Sequence, residues 1–156
     1  MKHTKLMAAA MGFAVAGAFA ASAQSAEMAY VTIVDNVTIV GGVVPASLTG
    51  KPGDAANGLK VAINRKKGNC LACHEMTIPK EQFHGQTGPD LHGIGDRQNA
   101  AELRMRLVDA KVINPETMMP SFYKTGQHRV SKEFVGKTIL SPQEIEDVVA
   151  YLLTIK

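Results

Sequence analysis

At 156 residues the chain has room for one domain with a modest core. Its 17 basic residues against 14 acidic ones exclude the dense positive charge that nucleic-acid binding draws on. The 46% hydrophobic fraction overstates the core, because much of it lies at the extreme N-terminus.

That N-terminus comes first in chain order. Met1 to Lys5 is a short basic opening, and Leu6 to Ala21 is an uncharged run of Ala, Gly, Val, Phe and Met. Ala21-Ser22-Ala23 then offers a small-residue cleavage site, with Ala26 as a second end. This order predicts a secretory signal over residues 1–26, cleaved between 23 and 26, and hence an exported protein. A membrane anchor is the competing reading, but the run is Ala-rich and shorter than the roughly 20 residues a span needs. Loss of Lys2 and Lys5 with the signal leaves 15 basic residues against 14 acidic, a net charge near +1.

Residues 27–52 form a second segment. Tyr30 to Val40 places β-branched residues on both sides of Asp35-Asn36, which predicts extended strand with a hairpin turn. The rest of the sequence offers little sheet for it to join. An apolar extended arm of this kind packs along a partner's surface; a strand folded back on its own domain is the alternative.

From Gly53 the pattern is helical. Asp54 is a plausible N-cap for a helix running to about Lys67, and the Arg65-Lys66-Lys67 cluster suits the negative end of its dipole. Then comes the strongest signal. Cys70-Leu71-Ala72-Cys73-His74 is the c-type haem attachment pattern. Each thiol adds to one haem vinyl group, and the short turn between them sets the imidazole of His74 beneath the iron. A thioredoxin-like pair would need a βαβ context that is missing. A zinc site would need a second pair of ligands, and the chain has only two cysteines.

Residues 86–95 are rich in Gly and Pro and read as loop. Asn99 and Glu102 form a capping box for the next helix, with Leu103, Leu107 and Val108 at helical spacing. Past residue 74 lie the candidates for a sixth iron ligand. Met76 is too near the attachment turn to reach the opposite face of a haem. His84, His92 and His128 read as solvated loop histidines, and Met105 as core or surface filler. Met119 directly precedes Pro120, which biases it toward an extended conformation and away from any helix. Met118 is its competitor. Met/His ligation fills both axial sites and suits electron transfer. After the polar stretch 122–139, Ser141-Pro142-Gln143-Glu144 combines an N-cap, a Pro at the first helical position and a capping-box Glu. Ile145, Val148, Val149 and Leu152 follow on one face of that last helix.

A helix before the attachment motif, a Gly-Pro loop after it, a Met-Pro ligand and a C-terminal helix bearing Tyr151 resemble class I cytochrome c over roughly residues 53–156. The resemblance implies an all-α fold in which the first and last helices cross around one covalently bound haem c, Gly58 meeting Tyr151. It also implies that the carbonyl of Pro89 accepts the second imidazole N–H of His74, a bond of the kind that fixes a ligating ring. Arg97 is a candidate partner for a haem propionate, with a plain surface arginine as the other reading.

The wording of the motifs is narrower still. Leu48-Thr49-Gly50 after the Val/Thr/Ile arm, Lys67 to His74, Asn114 to Tyr123, His128-Arg129-Val130 and Gly136 to Leu140 together resemble the SoxX family, the monohaem subunits of the SoxAX cytochromes of bacterial thiosulfate oxidation. That resemblance implies a periplasmic heterodimer with SoxA, which joins thiosulfate to a cysteine of the carrier SoxYZ, and electron relay through this chain to a soluble acceptor cytochrome c. Its catalytic residues would all lie outside this chain. A free-standing electron shuttle and a haem-based sensor are the rival readings. The shuttle would be a compact chain with a Lys-ringed haem edge, and the sensor would need a weak or missing sixth ligand.

Overall fold

A computed structural model describes residues 31–156 apart from 79 and 129. The expected signal and the first residues of the arm lie outside the described residues. The architecture is predominantly helical. A short hairpin, β1 (Val31–Val34) and β2 (Val37–Val40), precedes α1 (Ala55–Ile63), α2 (Ile94–Arg97), α3 (Ala100–Asp109) and α4 (Pro142–Leu152). Among the described residues no helix is long and apolar enough to cross a membrane.

The framework is the crossing of α1 over α4. Asp54 caps α1, its Oδ1 accepting from the N–H groups of Ala56 at 2.8 Å and Asn57 at 3.3 Å. Ser141 and Glu144 close a reciprocal capping box on α4, with Pro142 at its first turn. Where the helices cross, a Cβ built on Gly58 would fall 1.9 Å from the Asp147 carbonyl oxygen and 2.8 Å from Tyr151 Cβ. Only a residue without a side chain lets the backbones come this close. Asp147 of α4 locks the approach. Its carboxylate accepts from the N–H of Asp54 at 2.8 Å, from Asn57 Nδ2 at 2.7 Å and from Gln143 Nε2 at 2.9 Å.

α1 ends four residues before the expected Lys67. Asn64 leaves helical geometry (φ −71°, ψ 110°), and its side chain accepts from the N–H of Lys66 at 2.9 Å, so a tight turn takes over. Asn can satisfy its neighbours locally in this way, which competes with helix continuation. α2 is absent from the sequence reading, whose loop over 86–95 takes in its first two residues. Four residues carry no periodicity, and this turn of helix is held by tertiary contact: Gly95 N–H donates to the Ile155 carbonyl at 2.9 Å, and Lys156 pairs with Asp96 at 3.0 Å.

The main core gathers Val61, Leu71, Met76, Ile94, Leu103, Leu107, Phe122, Leu140, Ile145, Val148 and Leu152 from all four helices and their loops. A second, smaller core holds Val37, Ile39, Val44, Met105 and Val108. It matches the alternative reading of the arm, a strand folded back on its own domain. Asp35 and Asn36 both adopt positive φ (46° and 67°), the two-residue turn whose twist matches a hairpin. The strands pair antiparallel with Val34 opposite Val37. One face of β2 then buries Val37 and Ile39 against α3 of the same chain. The turn itself is tied down, since Asp35 accepts from the N–H and hydroxyl of Thr125 at 2.6 and 2.9 Å.

A buried ion pair joins the two cores. Arg104 of α3 donates from Nε and Nη2 to the two oxygens of Glu146 of α4 at 2.7 and 2.9 Å. Arg104 Nη1 reaches the Val44 carbonyl at 2.8 Å, and Glu146 Oε1 accepts from the Leu48 N–H at 2.9 Å. Two helices and the segment after the hairpin are thus fixed by one fork-to-carboxylate contact.

Candidate haem-attachment site

The attachment turn is shaped by its own backbone. Asn69 sits in the left-handed region (φ 49°) and starts a single tight turn over Cys70–Ala72. Asn tolerates that conformation better than most residues. The Cys70 carbonyl accepts from the N–H groups of both Cys73 and His74, at 3.1 and 2.9 Å, which closes the Cys-x-x-Cys-His segment on itself. Leu71 is driven into the core, while both cysteines are half-buried and unpaired. Burial pushes the Cys70 thiol up to about 11, so it is protonated at neutral pH. A thioredoxin-like pair needs the opposite shift. Among the described residues no group of three His, Cys, Asp or Glu comes together to hold a free metal ion.

The imidazole of His74 is held from behind. Its Nδ1 lies 2.7 Å from the Pro89 carbonyl oxygen. A carbonyl can only accept, so Nδ1 carries the proton and Nε2 of the neutral ring keeps its lone pair. That is the tautomer a metal ligand requires. Gly88 completes the cradle: a Cβ there would lie 2.5 Å from His74 Cε1. The loop that brings Gly88 and Pro89 under the ring is laced to the attachment turn. Gly85 N–H donates to the Leu71 carbonyl at 2.7 Å, Gly88 N–H to Cys73 at 2.8 Å and Leu91 N–H to Glu75 at 2.9 Å. This arrangement fits a covalently held haem, with two thiols on one turn and an oriented imidazole directly after them.

The other candidates separate clearly. Met118 is exposed, at 77% of its surface, whereas Met119 packs against the main core. Met76 and Met105 are buried core residues. His92 and His128 are exposed. His84 differs from its reading as a solvated histidine, because its Nδ1 accepts from the Met76 N–H and its Nε2 meets the Glu81 carbonyl, both at 3.1 Å. It stitches together the loop that follows the attachment turn. Arg97 Nη2 donates to the carbonyls of Asp90 and His92 at 3.1 and 2.8 Å, so part of the guanidinium braces the loop that carries Pro89.

The sequence reading gives neither Asp109 nor Ser121 a role of its own. Asp109 is a buried carboxylate at the end of α3, accepting from Ser121 Oγ at 2.5 Å and from Lys124 Nζ at 3.2 Å. An acid in the last turn of a helix opposes the dipole there, which is the one signal in the sequence that it has another task.

Comparison with known proteins agrees with this geometry. The family model for cytochrome c matches residues 55–156. A chain in the crystal structure of SoxXA from P. pantotrophus is 41% identical, with a TM-score of 0.72; the match covers 81% of this chain and 99% of that one. An uncharacterized lipoprotein of Aquifex aeolicus is 33% identical over 89 residues, which is 56% of this chain and 36% of that protein. Cytochrome c-550 of Bacillus subtilis is 33% identical over 55 residues, or 35% of this chain and 42% of that protein. The matches thus span less than half the length of these two relatives. With the attachment turn, the oriented imidazole and a near full-length likeness to a SoxXA chain in place, the chain belongs to the cytochrome c family, as a member of its SoxX group.

Proposed function

We propose that this chain is the monohaem electron-relay subunit of a periplasmic SoxXA-type complex. Cys70 and Cys73 would hold one haem c, with His74 and Met119 as the side chains that would ligate its iron. The observation that carries this reading is the likeness to a SoxXA chain over 81% of this chain, supported by a His74 ring held through Nδ1 by the Pro89 carbonyl. Haem c supplies a one-electron iron couple. Everything else in the reading concerns what this chain's residues do.

Both cysteines serve as thioether anchors, so no thiol remains here to carry a thiosulfate adduct. Coupling a carrier thiol to thiosulfate forms one S–S bond and releases one proton and two electrons. That step therefore belongs to a partner of the SoxA type, acting on a SoxYZ-type carrier. This chain takes the electrons one at a time and passes them to a soluble cytochrome c. The enzyme activity of the assembly is that of a cysteine thiosulfotransferase, with no substrate site on this subunit. On the hairpin, the face turned away from α3 exposes Val31 and is what remains open to the partner.

Met119 is favoured over Met118 because its side chain packs inward while that of Met118 is in solvent. The test is the iron–thioether charge-transfer band of the oxidised holoprotein. Met119→Ala should abolish it, and Met118→Ala should leave it in place. The reverse pattern would reassign the ligand.

A further inference from the structure

The segment that carries Met119 is gripped from both sides by the end of α3. On its C-terminal side, Ser121 Oγ donates to Asp109 Oδ1 at 2.5 Å, and both side chains are almost wholly buried. The same Oδ1 accepts from the Lys111 N–H at 3.1 Å, and Oδ2 from Lys124 Nζ at 3.2 Å. On the N-terminal side, Lys111 Nζ donates to the Thr117 carbonyl at 2.5 Å, and Thr117 Oγ1 accepts from the Met119 N–H at 3.2 Å. Phe122 N–H reaches the Leu107 carbonyl at 2.9 Å, and Gln127 Nε2 reaches the Ser121 carbonyl at 2.6 Å.

We infer that Asp109 is a positioning residue for the axial thioether: through Ser121 it holds the Met118-Met119-Pro120 segment so that Met119 stays presented to the iron. The inference rests on Met119 being the sixth ligand. A solvated loop would need no buried carboxylate, and burying one is unfavourable unless it is bonded on several sides. Here its bonds run to Ser121 and Lys124 just past Met119, and to Lys111, which in turn reaches Thr117 just before it. A thioether is a weak ligand on a flexible stem. Its hold on the iron therefore depends on how seldom the loop opens.

The test is displacement of the thioether by imidazole in the oxidised holoprotein, followed by loss of the charge-transfer band. An external ligand binds only when the loop has opened, so its apparent affinity scales with the open population. Asp109→Asn and Ser121→Ala should each raise imidazole affinity about tenfold, the scale of one lost hydrogen bond. Glu146→Gln is the control, since it weakens another buried pair, one that grips α3, α4 and residues 44–48 rather than the Met119 loop. It should lower the melting temperature and leave imidazole affinity unchanged. Wild-type affinity in Ser121→Ala, or an equal rise in Glu146→Gln, would overturn the inference. Ser121→Ala alone decides the matter if Asp109→Asn does not fold. Survival of the band in Met119→Ala would overturn the ligand assignment, and the inference with it.

Discussion

Gly58→Ala sets a favourable local term against an unfavourable tertiary one, and the structure says which wins. Helix propensity alone gives the substitution a gain of about 1 kcal/mol in a helix interior. The crossing of α1 and α4 reverses that. The new Cβ would lie 1.9 Å from the Asp147 carbonyl oxygen, 2.5 Å from its carbonyl carbon and 2.8 Å from Tyr151 Cβ. These contacts include rigid helix backbone, so no side-chain rotation relieves them. To reach ordinary contact the helices must separate by roughly 1.5 Å, and a gap of even 0.5–1 Å forfeits a quarter to a half of each dispersion contact. Val61 and Ala62 on one side, and Ile145, Val148 and Leu152 on the other, would all lose partners. The three bonds that Asp147 accepts from Asp54, Asn57 and Gln143 would lengthen as well. Overpacking of this kind costs about 3 kcal/mol or more, so the net loss is about 2–3 kcal/mol, or roughly 8–12 °C in Tm for a domain of this size. Urea and thermal unfolding of the holoprotein, followed by circular dichroism, would measure it. A Gly58→Ala protein as stable as the wild type, or more so, would refute the crossing geometry.

Two further outcomes follow from the same structure. Glu146→Ala strands the buried Arg104 guanidinium and the Leu48 N–H, and should destabilise the fold by about 3–5 kcal/mol. The double replacement Arg104→Met with Glu146→Leu should recover most of that loss in the same unfolding assay. Acid should act through Glu144 and Asp147. Partial burial pushes each carboxyl up, but the Lys67 ammonium and Ser141 outweigh it for Glu144, and the Asp54 N–H with the Gln143 and Asn57 amides outweigh it for Asp147. Both therefore titrate below their ordinary values when folded. The stability they contribute is complete above the ordinary carboxylate range and is lost as pH falls below it. Tm measured between about pH 6 and 3 should fall less steeply in Asp147→Asn than in the wild type; parallel curves would contradict the assignment.

The parts of the fold legible in the sequence were those with local causes. The caps at Asp54, Asn99 and Ser141 each sit within three residues of the groups they satisfy, and all three are formed. The Cys70–His74 turn is legible for the same reason, since its chemistry fixes its spacing. What could not be read depends on distant neighbours. The alternation of Val37 and Ile39 shows a strand with one apolar face, but not that Met105 and Val108 of α3 lie beneath it. α2 is too short to show a period and is held by Ile155, sixty residues on. His84 looked solvated because its partners are backbone groups, which no side-chain pattern reveals. Asp109 and Ser121 are ordinary polar residues until folding buries them together beside Met119.

The most direct test of the central claim is to recover the haem-loaded protein from its own host grown on thiosulfate, identify what co-purifies in stoichiometric amount, and add thiosulfate and the thiol carrier. Stable association with a second c-type cytochrome, and thiosulfate-dependent reduction of this chain's haem, is the predicted result. A lone monohaem protein that exchanges electrons yet holds no partner would contradict the account and leave a free-standing shuttle.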